Sequence, residues 1–509
     1  MLGSGAPLEA HREASAALSG IAAACVNCHQ RSGFGGREGL SAVPPITGRY
    51  LFRPLPKDGD DSDIPFVEGM RGNRAPYTDA TLARAIRVGL DADGKRLSVL
   101  MPNYPLGDSD MAALIEYLKR LDHREVPGVT DSTLNFATVI TPDADPVKRA
   151  GMLDVMQHFF ADRNVRQMVA APRMRTSGKT SYSRTMFMVH RRWELHVWQL
   201  TGPAAGWEEQ LRGHLAKEPV LAVLSGLGGA NWAPVHAFCE HASLPCLFPN
   251  VEAPVDAESD FYSVYFSKGV LLEAGLIARA LKDPAHGEPP QAVVQIYRAG
   301  DAGEAGAVAL AAALKTSGVN VSSHVLPEGA PGKGVADAIK RSAAADVLVL
   351  WLRPKDVTAL GDVPPVVRRV YASALLGGLE RTPLPAAWRE RTRLAYGFDL
   401  PERRRVRVDY ALGWFGARKI PLVDEQVQAD TYLALGLVSE VLKHMVDTFV
   451  RDYLIERTVL QIEHRIVTGY YPHLTLATGQ RFASKGGYLV RFAEPTGIRV
   501  LPDGDWTVP

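Results

Sequence analysis

The sequence predicts a multidomain chain in which a small all-α domain is followed by a two-lobed α/β domain with parallel sheets and a cleft between the lobes. Three observations predict it. Up to residue 121 the chain holds helical patterns separated by Gly- and Pro-rich loops, with no strand-like run. Residues 122–133, with Pro127-Gly128 and several charges, interrupt that pattern. Beyond them, apolar runs alternate with helical patterns, and the alternation restarts once. A length of 509 residues is too much for one core. The composition, 46% hydrophobic and 22% charged, is globular, and a formal charge of +1 points to neither nucleic acid nor an anionic membrane surface. No apolar run is long enough to span a bilayer.

The first element is an alanine-rich helix expected over 14–24, which delivers Cys25-Val26-Asn27-Cys28-His29. Two thiols three positions apart, followed by an imidazole, form the attachment signature of a c-type haem. Each thiol can add to a porphyrin vinyl group, and the imidazole is then held beneath the iron. A redox dithiol or a zinc half-site would share the spacing, but zinc wants a second matching pair, and the other cysteines are Cys239 and Cys246. The Gly-rich loop 32–36 lets backbone pass close to a flat macrocycle. In Val43-Pro44-Pro45-Ile46-Thr47-Gly48 a proline segment around Pro45 is placed to offer a carbonyl to the far nitrogen of His29. A helix follows over 77–88, capped by Thr78 or Asp79. Next, Leu100-Met101-Pro102-Asn103-Tyr104-Pro105-Leu106 leads through Asp108-Ser109-Asp110 into a helix over 111–121. A lone methionine is more often a core filler than a ligand. Here Met101 stands on a loop, followed by proline and backed by a helix.

Together, Cys-x-x-Cys-His, Pro-Pro-Ile-Thr-Gly and Met-Pro followed by a helix containing Tyr117-Leu118 resemble the class I c-type cytochromes over residues 12–122. The resemblance implies one covalent haem c on Cys25 and Cys28, with His29 as proximal and Met101 as distal ligand to the iron. Met70 and Met111 are the fallback distal candidates. A closed His/Met pair serves electron transfer rather than oxygen chemistry. It also implies export to the periplasm. The segment Met1-Leu2-Gly3-Ser4-Gly5 has neither the basic start nor the apolar core of a leader, so a trimmed or replaced signal peptide is expected. The expected boundaries are 1–126 for this domain, 127–133 for a linker and 134–509 for the rest.

In the second part strands are expected at 136–140, 185–189, 193–198, 220–224 and 246–248, with helices around 148–160 and 206–216. After a helix at 268–281 and the linker-like 283–290, the series restarts. Strands are expected at 292–297, 319–325, 346–351 and 370–372, with helices up to 316, near 334–342 and late at 429–444. Lobe 1 is then about 134–265 plus a later segment, and lobe 2 about 290–395 plus a C-terminal segment. Ligands of open α/β sheets bind beyond the carboxyl ends of the strands, so two such edges define a cleft.

This order resembles the periplasmic ligand-binding proteins of the leucine/isoleucine/valine-binding type, the substrate-binding proteins of ABC transporters. It is carried by segments 223–226, 241–250, 260–266, 296–306, 370–373 and 469–475. In that family the strand matching 220–224 ends in Gly-Pro and reaches a serine that binds the carboxylate of an amino acid. This chain has Ser225-Gly226-Leu227-Gly228-Gly229-Ala230-Asn231-Trp232, with Leu for Pro and no serine at that place, which puts an amino-acid ligand in doubt. The amides of the turn around Gly229 could still hold an anion, with Asn231 as donor and Trp232 as an apolar wall or a core residue. Ser225, Asn250, Glu252, Arg298, Asp301, Tyr371 and Ser373 are cleft candidates because they stand at strand ends. The run Arg403-Arg404-Arg405, with Arg407, is flanked by acids and reads as a solvated or docking face. Cys239 and Cys246 are either bridged in an oxidising compartment or buried as thiols.

No nucleophile triad, phosphate loop, metal cluster or nicotinamide fingerprint stands out, so no enzyme is expected; a cleft-bound substrate oxidised by the haem is the third reading, against which the closed His29/Met101 pair speaks. The preferred expectation is a periplasmic electron carrier fused to a small-molecule-binding module. Its redox partners would be a periplasmic dehydrogenase on one side and another cytochrome or an oxidase on the other. The alternative is a transport or sensory receptor with an accessory haem domain.

Overall fold

The computed structural model describes residues 9–10, 18–38, 41–53, 74–121, 125–175, 191–256, 260–362, 364, 366–378, 384–445, 448–465, 467–477, 479–494 and 497–509. Met70 and the strand expected at 185–189 lie outside them. The chain forms two compact units. One comprises Met1–Asn135, Asp162–Glu194 and Val438–Thr458; the other Phe136–Ala161, Leu195–Leu437 and Val459–Pro509. The first therefore takes in two segments beyond the boundary expected at residue 126.

In the first unit the helix expected over 14–24 is corrected over 18–24, residues 14–17 lying outside the described ones. Glu9–Ala10 pairs antiparallel with Leu18–Ser19, and a tight turn, Gly20–Ala23, follows. Gly20 has φ +58° and Ala24 is extended, so the chain cannot continue as α-helix through this stretch. Gly36–Glu38 and Ser41–Val43 form a second small antiparallel pair, so the unit is not purely α. The helix Asp79–Val88 starts as the sequence suggests. Thr78 and Thr81 exchange side-chain and backbone bonds in a capping box, and Gly89 closes the helix at φ +70°. It packs with Asp108–Arg120 around Leu82, Ile86, Met111, Ile115 and Leu118, spaced three and four apart on one face of each helix. Arg451–Ile462 begins in this unit, where the Tyr453 ring lies 4.5 Å from Phe34.

The second unit holds two sheets whose strands run in one order. In the first, Thr133–Ile140 lies between Arg192–Gln199 and Ala222–Leu224, followed by Cys246–Leu247 and Ser263–Val264. In the other, Ala292–Arg298 lies between Asn320–Leu326 and Val347–Trp351, followed by Arg369–Ser373 and Thr392–Tyr396. Both are second-first-third-fourth-fifth. The order reverses beside the first strand, where ligands of such sheets bind. The first five strands of the larger sheet pair in parallel, and Tyr488–Phe492 and Val500–Pro502 add antiparallel at its edge. Strands such as Val347–Trp351 are buried along their whole length, as parallel strands covered on both faces require. Cys239, in the helix Ala233–His241, and Cys246 are joined in a disulfide, with Cα atoms 6.1 Å apart. Among the described residues no helix is long and apolar enough to cross a membrane.

Candidate functional site

The carboxyl ends of both sheets in the second unit line a cleft of about 590 Å³. From the first sheet come Asp143 and Asp145, the turn Leu227-Gly228-Gly229, and Asn250 and Glu252. The other sheet supplies Arg353, Ala374 and Leu375, then Tyr396 and Phe398. Arg404, Glu425 and Asp430 enter from helices, Asp424 from the position just before one, and Tyr470 and Tyr471 from a late loop.

Charge in the cleft is largely paired. Arg353 donates to both oxygens of Glu252, at 2.9 and 2.5 Å, and to Asp301 at 2.6 to 3.1 Å. Lys148 adds a bond to Glu252 at 3.3 Å. Burial pushes the Glu252 carboxyl up, but the Arg353 and Lys148 cations outweigh it and hold the group below its usual range. The Gly-rich turn is also occupied. Gly229 N–H donates to Thr141 Oγ1 at 3.2 Å and Ala230 N–H to Asp143 Oδ2 at 2.9 Å. A Cβ on Gly229 would stand 2.1 Å from Asp143 Oδ2, so only glycine admits the carboxylate here. Across the cleft, Glu273 accepts from the Ser373 hydroxyl and, at 2.9 Å, from Leu375 N–H. Burial pushes Glu273 up to about 8. Asp430 is 4% exposed. Its Oδ2 accepts from the Tyr471 hydroxyl at 3.0 Å, its Oδ1 has no hydrogen-bond partner, and burial pushes it up to about 7.

Of the cleft candidates, Gly229 of the Gly-rich turn and the strand-end residues Asn250 and Glu252 line this cleft. The others are corrected. Ser225 is buried and bonds Thr431 and Asn250, bracing the turn from behind. Asn231 is exposed and accepts from Ala233 N–H at 3.1 Å, a helix-start contact. Trp232 belongs to the core, packed where any Cβ on Gly226 or Gly228 would fall. Arg298 is 7% exposed and pairs with Asp356, because its strand ends under a loop that seals it off. Asp301 stands behind Arg353 and starts the helix Ala302–Leu314. Tyr371 is in the core, and Ser373 serves Glu273 and Leu376 N–H. In the basic run, Arg404 is buried against Tyr470 with its guanidinium 4.2 Å from the ring, which corrects the solvated reading for that residue. Asp143 and Arg353 follow strands directly and were open to the strand-end rule; Arg404 and Asp430 reach the cleft from helices, which that rule does not cover.

In the first unit, Val26–His29 is a single helical turn. Cys25, Cys28 and His29 therefore share one side. His29 is buried and donates from Nδ1 to the Pro44 carbonyl at 2.8 Å; the residue carrying that carbonyl is Pro44, with Pro45 buried beside it. Burial lowers the His29 pKa, favouring the neutral ring. Gly35, at φ +69°, makes this possible, since a Cβ there would stand 2.1 Å from the Val43 carbonyl and 2.8 Å from that of Pro44. Cys25 and Met101 are half-buried against one hydrophobic cluster, whereas Met111 is 3% exposed within it. A neutral imidazole with one nitrogen tied to a carbonyl, two thiols a helical turn apart and a thioether on the same cluster are a donor set that fits haem c.

One further grouping, His236, Glu240 and Asp260, has its donor atoms close together. They are already engaged: His236 bonds Tyr265 and Asp260, each at 2.7 Å, and Glu240 accepts from the amides of 261–263.

No family model matches the chain, and no curated protein matches it. Among solved structures, it is similar to a fatty acid ABC transporter substrate-binding protein from Thermomonospora curvata, with TM-score 0.51 and 16% identity, covering 76% of this chain and 95% of that one. It is also similar to a possible leucine/isoleucine/valine-binding protein from Rhodopirellula baltica, with TM-score 0.52 and 13% identity, covering 74% and 97%. A third is the leucine-binding protein LivK from Thermotoga maritima, with TM-score 0.50 and 11% identity, covering 73% and 98%. The larger part of the chain thus has the two-lobed α/β fold of periplasmic substrate-binding proteins.

Proposed function

We propose that the chain is a periplasmic small-molecule-binding protein, the receptor of a transport or sensory system, with a haem c on its N-terminal segment. The observation that carries the receptor reading is the cleft of about 590 Å³ at the carboxyl ends of two sheets of like strand order. The fold of the substrate-binding proteins supports it, and it moves the weight from the electron carrier to the receptor. Thermal-shift screening of the full chain against small acids, alcohols, amines, aldehydes and aromatics tests it. Stabilisation by one class, lost on filling the cleft with Gly229→Trp, is the expected result; no stabilisation by any class sinks it.

Electron transfer is the second part, favoured by the bond from His29 to Pro44. Cys25 and Cys28 would attach the haem, and His29 and Met101 would hold its iron. A haem so held supplies one-electron transfer. The chain's own contribution is orientation: Pro44 keeps Nδ1 protonated so that Nε2 presents its lone pair, and Gly35 lets the two loops meet. A dehydrogenase and a further cytochrome or oxidase are the matching partners. Protein matured with the cytochrome c assembly machinery should retain haem absorbance after denaturing electrophoresis, and Cys25→Ser with Cys28→Ser should remove it. Unchanged absorbance in that double variant would defeat the assignment.

A further inference from the structure

The acids that face the cleft divide into those whose work is done and one whose work is not. Two turns stand at the edge of the space, and a backbone amide of each already donates to a carboxylate of the chain itself: Ala230 N–H to Asp143 and Leu375 N–H to Glu273. An anionic ligand would have to displace them. Of the cations lining the cleft, Arg353 is shared between Glu252 and Asp301, and Arg404 lies against Tyr470 and bonds the Tyr396 hydroxyl. What remains is Asp430. It is 96% removed from solvent by its 4% exposure, one oxygen is held by Tyr471, and the other has no hydrogen-bond partner. A buried carboxylate oxygen without a donor is costly, and a cation that supplies N–H groups relieves it best. Aromatic rings beside it offer faces to the same charge: the Tyr471 ring lies 5.5 Å from Phe266 and 6.0 Å from Phe398.

We infer that the cleft selects a small organic amine, bound as its ammonium ion with Asp430 as the anchor, and that it rejects carboxylates. This rests on the cleft being the binding site. It departs from an amino-acid ligand held by its carboxylate, because the amides for such a group are taken.

The inference carries a pH signature. Asp430 faces Tyr471 and Gln426 as hydrogen-bond donors, Asp424 as a like charge and Arg404 as an opposite one. Burial exceeds their sum and places its titration near 7. The ammonium ion binds the ionised form, so affinity rises with pH through 7 and gains roughly tenfold between pH 6 and 8.

Three probes of one shape test it on the full chain by calorimetry: 2-phenylethylamine, 2-phenylethanol and 3-phenylpropionate. The expected result is tightest binding of the amine, at least tenfold over the alcohol, with none of the acid, and loss of both the preference and the pH dependence in Asp430→Asn. Preference for the acid overturns the inference and leaves the cleft as a binding site. Equal binding of all three does the same. If none binds, the inference falls, and the mixed thermal-shift screen separately decides whether the receptor reading falls with it. The charge series needs no variant, so a misfolded Asp430→Asn would not shelter the idea.

Discussion

The turn at Cys25 and the cleft are both candidate sites, and they are built in opposite ways. Around Cys25 most of the chemical groups come from a short stretch: two thiols and an imidazole within five residues, and the supporting Pro44 carbonyl fifteen residues on, with Met101 alone proposed from a later loop. The cleft draws on residues from Asp143 to Tyr471, none of which means anything until two sheets bring their carboxyl edges together. The first site depends on one loop geometry. The second depends on the whole α/β core, and on buried pairs that hold strand ends in place without touching a ligand.

That contrast can be broken from either side. The largest effect is expected from Asp356→Ala. Arg298 and Asp356 are 8% and 2% exposed at their side chains, and removing the acid leaves a buried guanidinium without its partner. A loss of about 3–5 kcal/mol in urea unfolding is expected, with the absorbance of the proposed haem unchanged in the folded protein. A loss below about 1 kcal/mol would mean that the pair is solvated and the strand end open after all. Gly35→Val acts on the other side. Its φ of +69° and the 2.1 Å approach to the Val43 carbonyl leave no room for a side chain, so roughly 2–3 kcal/mol should be lost. His29 should lose its carbonyl partner with it, seen as a shifted imidazole Nδ1 proton resonance. Ligand binding in the cleft should persist.

The same contrast explains how much was legible. Cys25, Cys28 and His29 are proposed from spacing alone, and the structure places them on one helical turn. Two series of parallel strands with helices between them were legible too, because apolar runs between helical patterns leave few topologies. Individual cleft residues were not. Standing at a strand end brought Glu252 into the cleft but left Arg298 sealed beneath a loop, and no local signal separates the two. Asp430 and Arg404 lie on helices whose facing side is set by tertiary packing. The helix expected over 14–24 failed for a local reason, since Gly20 takes a positive φ that composition does not reveal.

A pH series probes the acid under the Ser373 turn. Burial raises Glu273 to about 8 in the folded chain, against an ordinary value of about 4.3 when unfolded. The folded form therefore keeps a proton that the unfolded form gives up. Its stabilising contribution is complete below pH 4.3 and is lost as the pH rises through 8. The melting temperature of the parent chain should fall between pH 5 and 8, and Glu273→Gln should make that fall shallower. Parallel profiles would show that the carboxyl is not enclosed.

The smallest expected effect lies beside the thiols. Tyr104 donates to the Ala23 carbonyl at 3.0 Å in a buried setting, tying the loop that carries Met101 to the chain just before Cys25. In Tyr104→Phe the ring still fills its place in the core, so packing is conserved and only the hydroxyl's bonds, to the Ala23 carbonyl and with the Cys25 thiol, are removed. The cost should be about 1 kcal/mol, rising toward 2 if the Ala23 carbonyl finds no water. If haem is bound as proposed, the two sides of its pocket are joined by this bond. The thioether ligand band should then weaken in Tyr104→Phe more than the melting temperature falls, whereas a bond that serves stability alone would move the melting temperature and leave the band as it was.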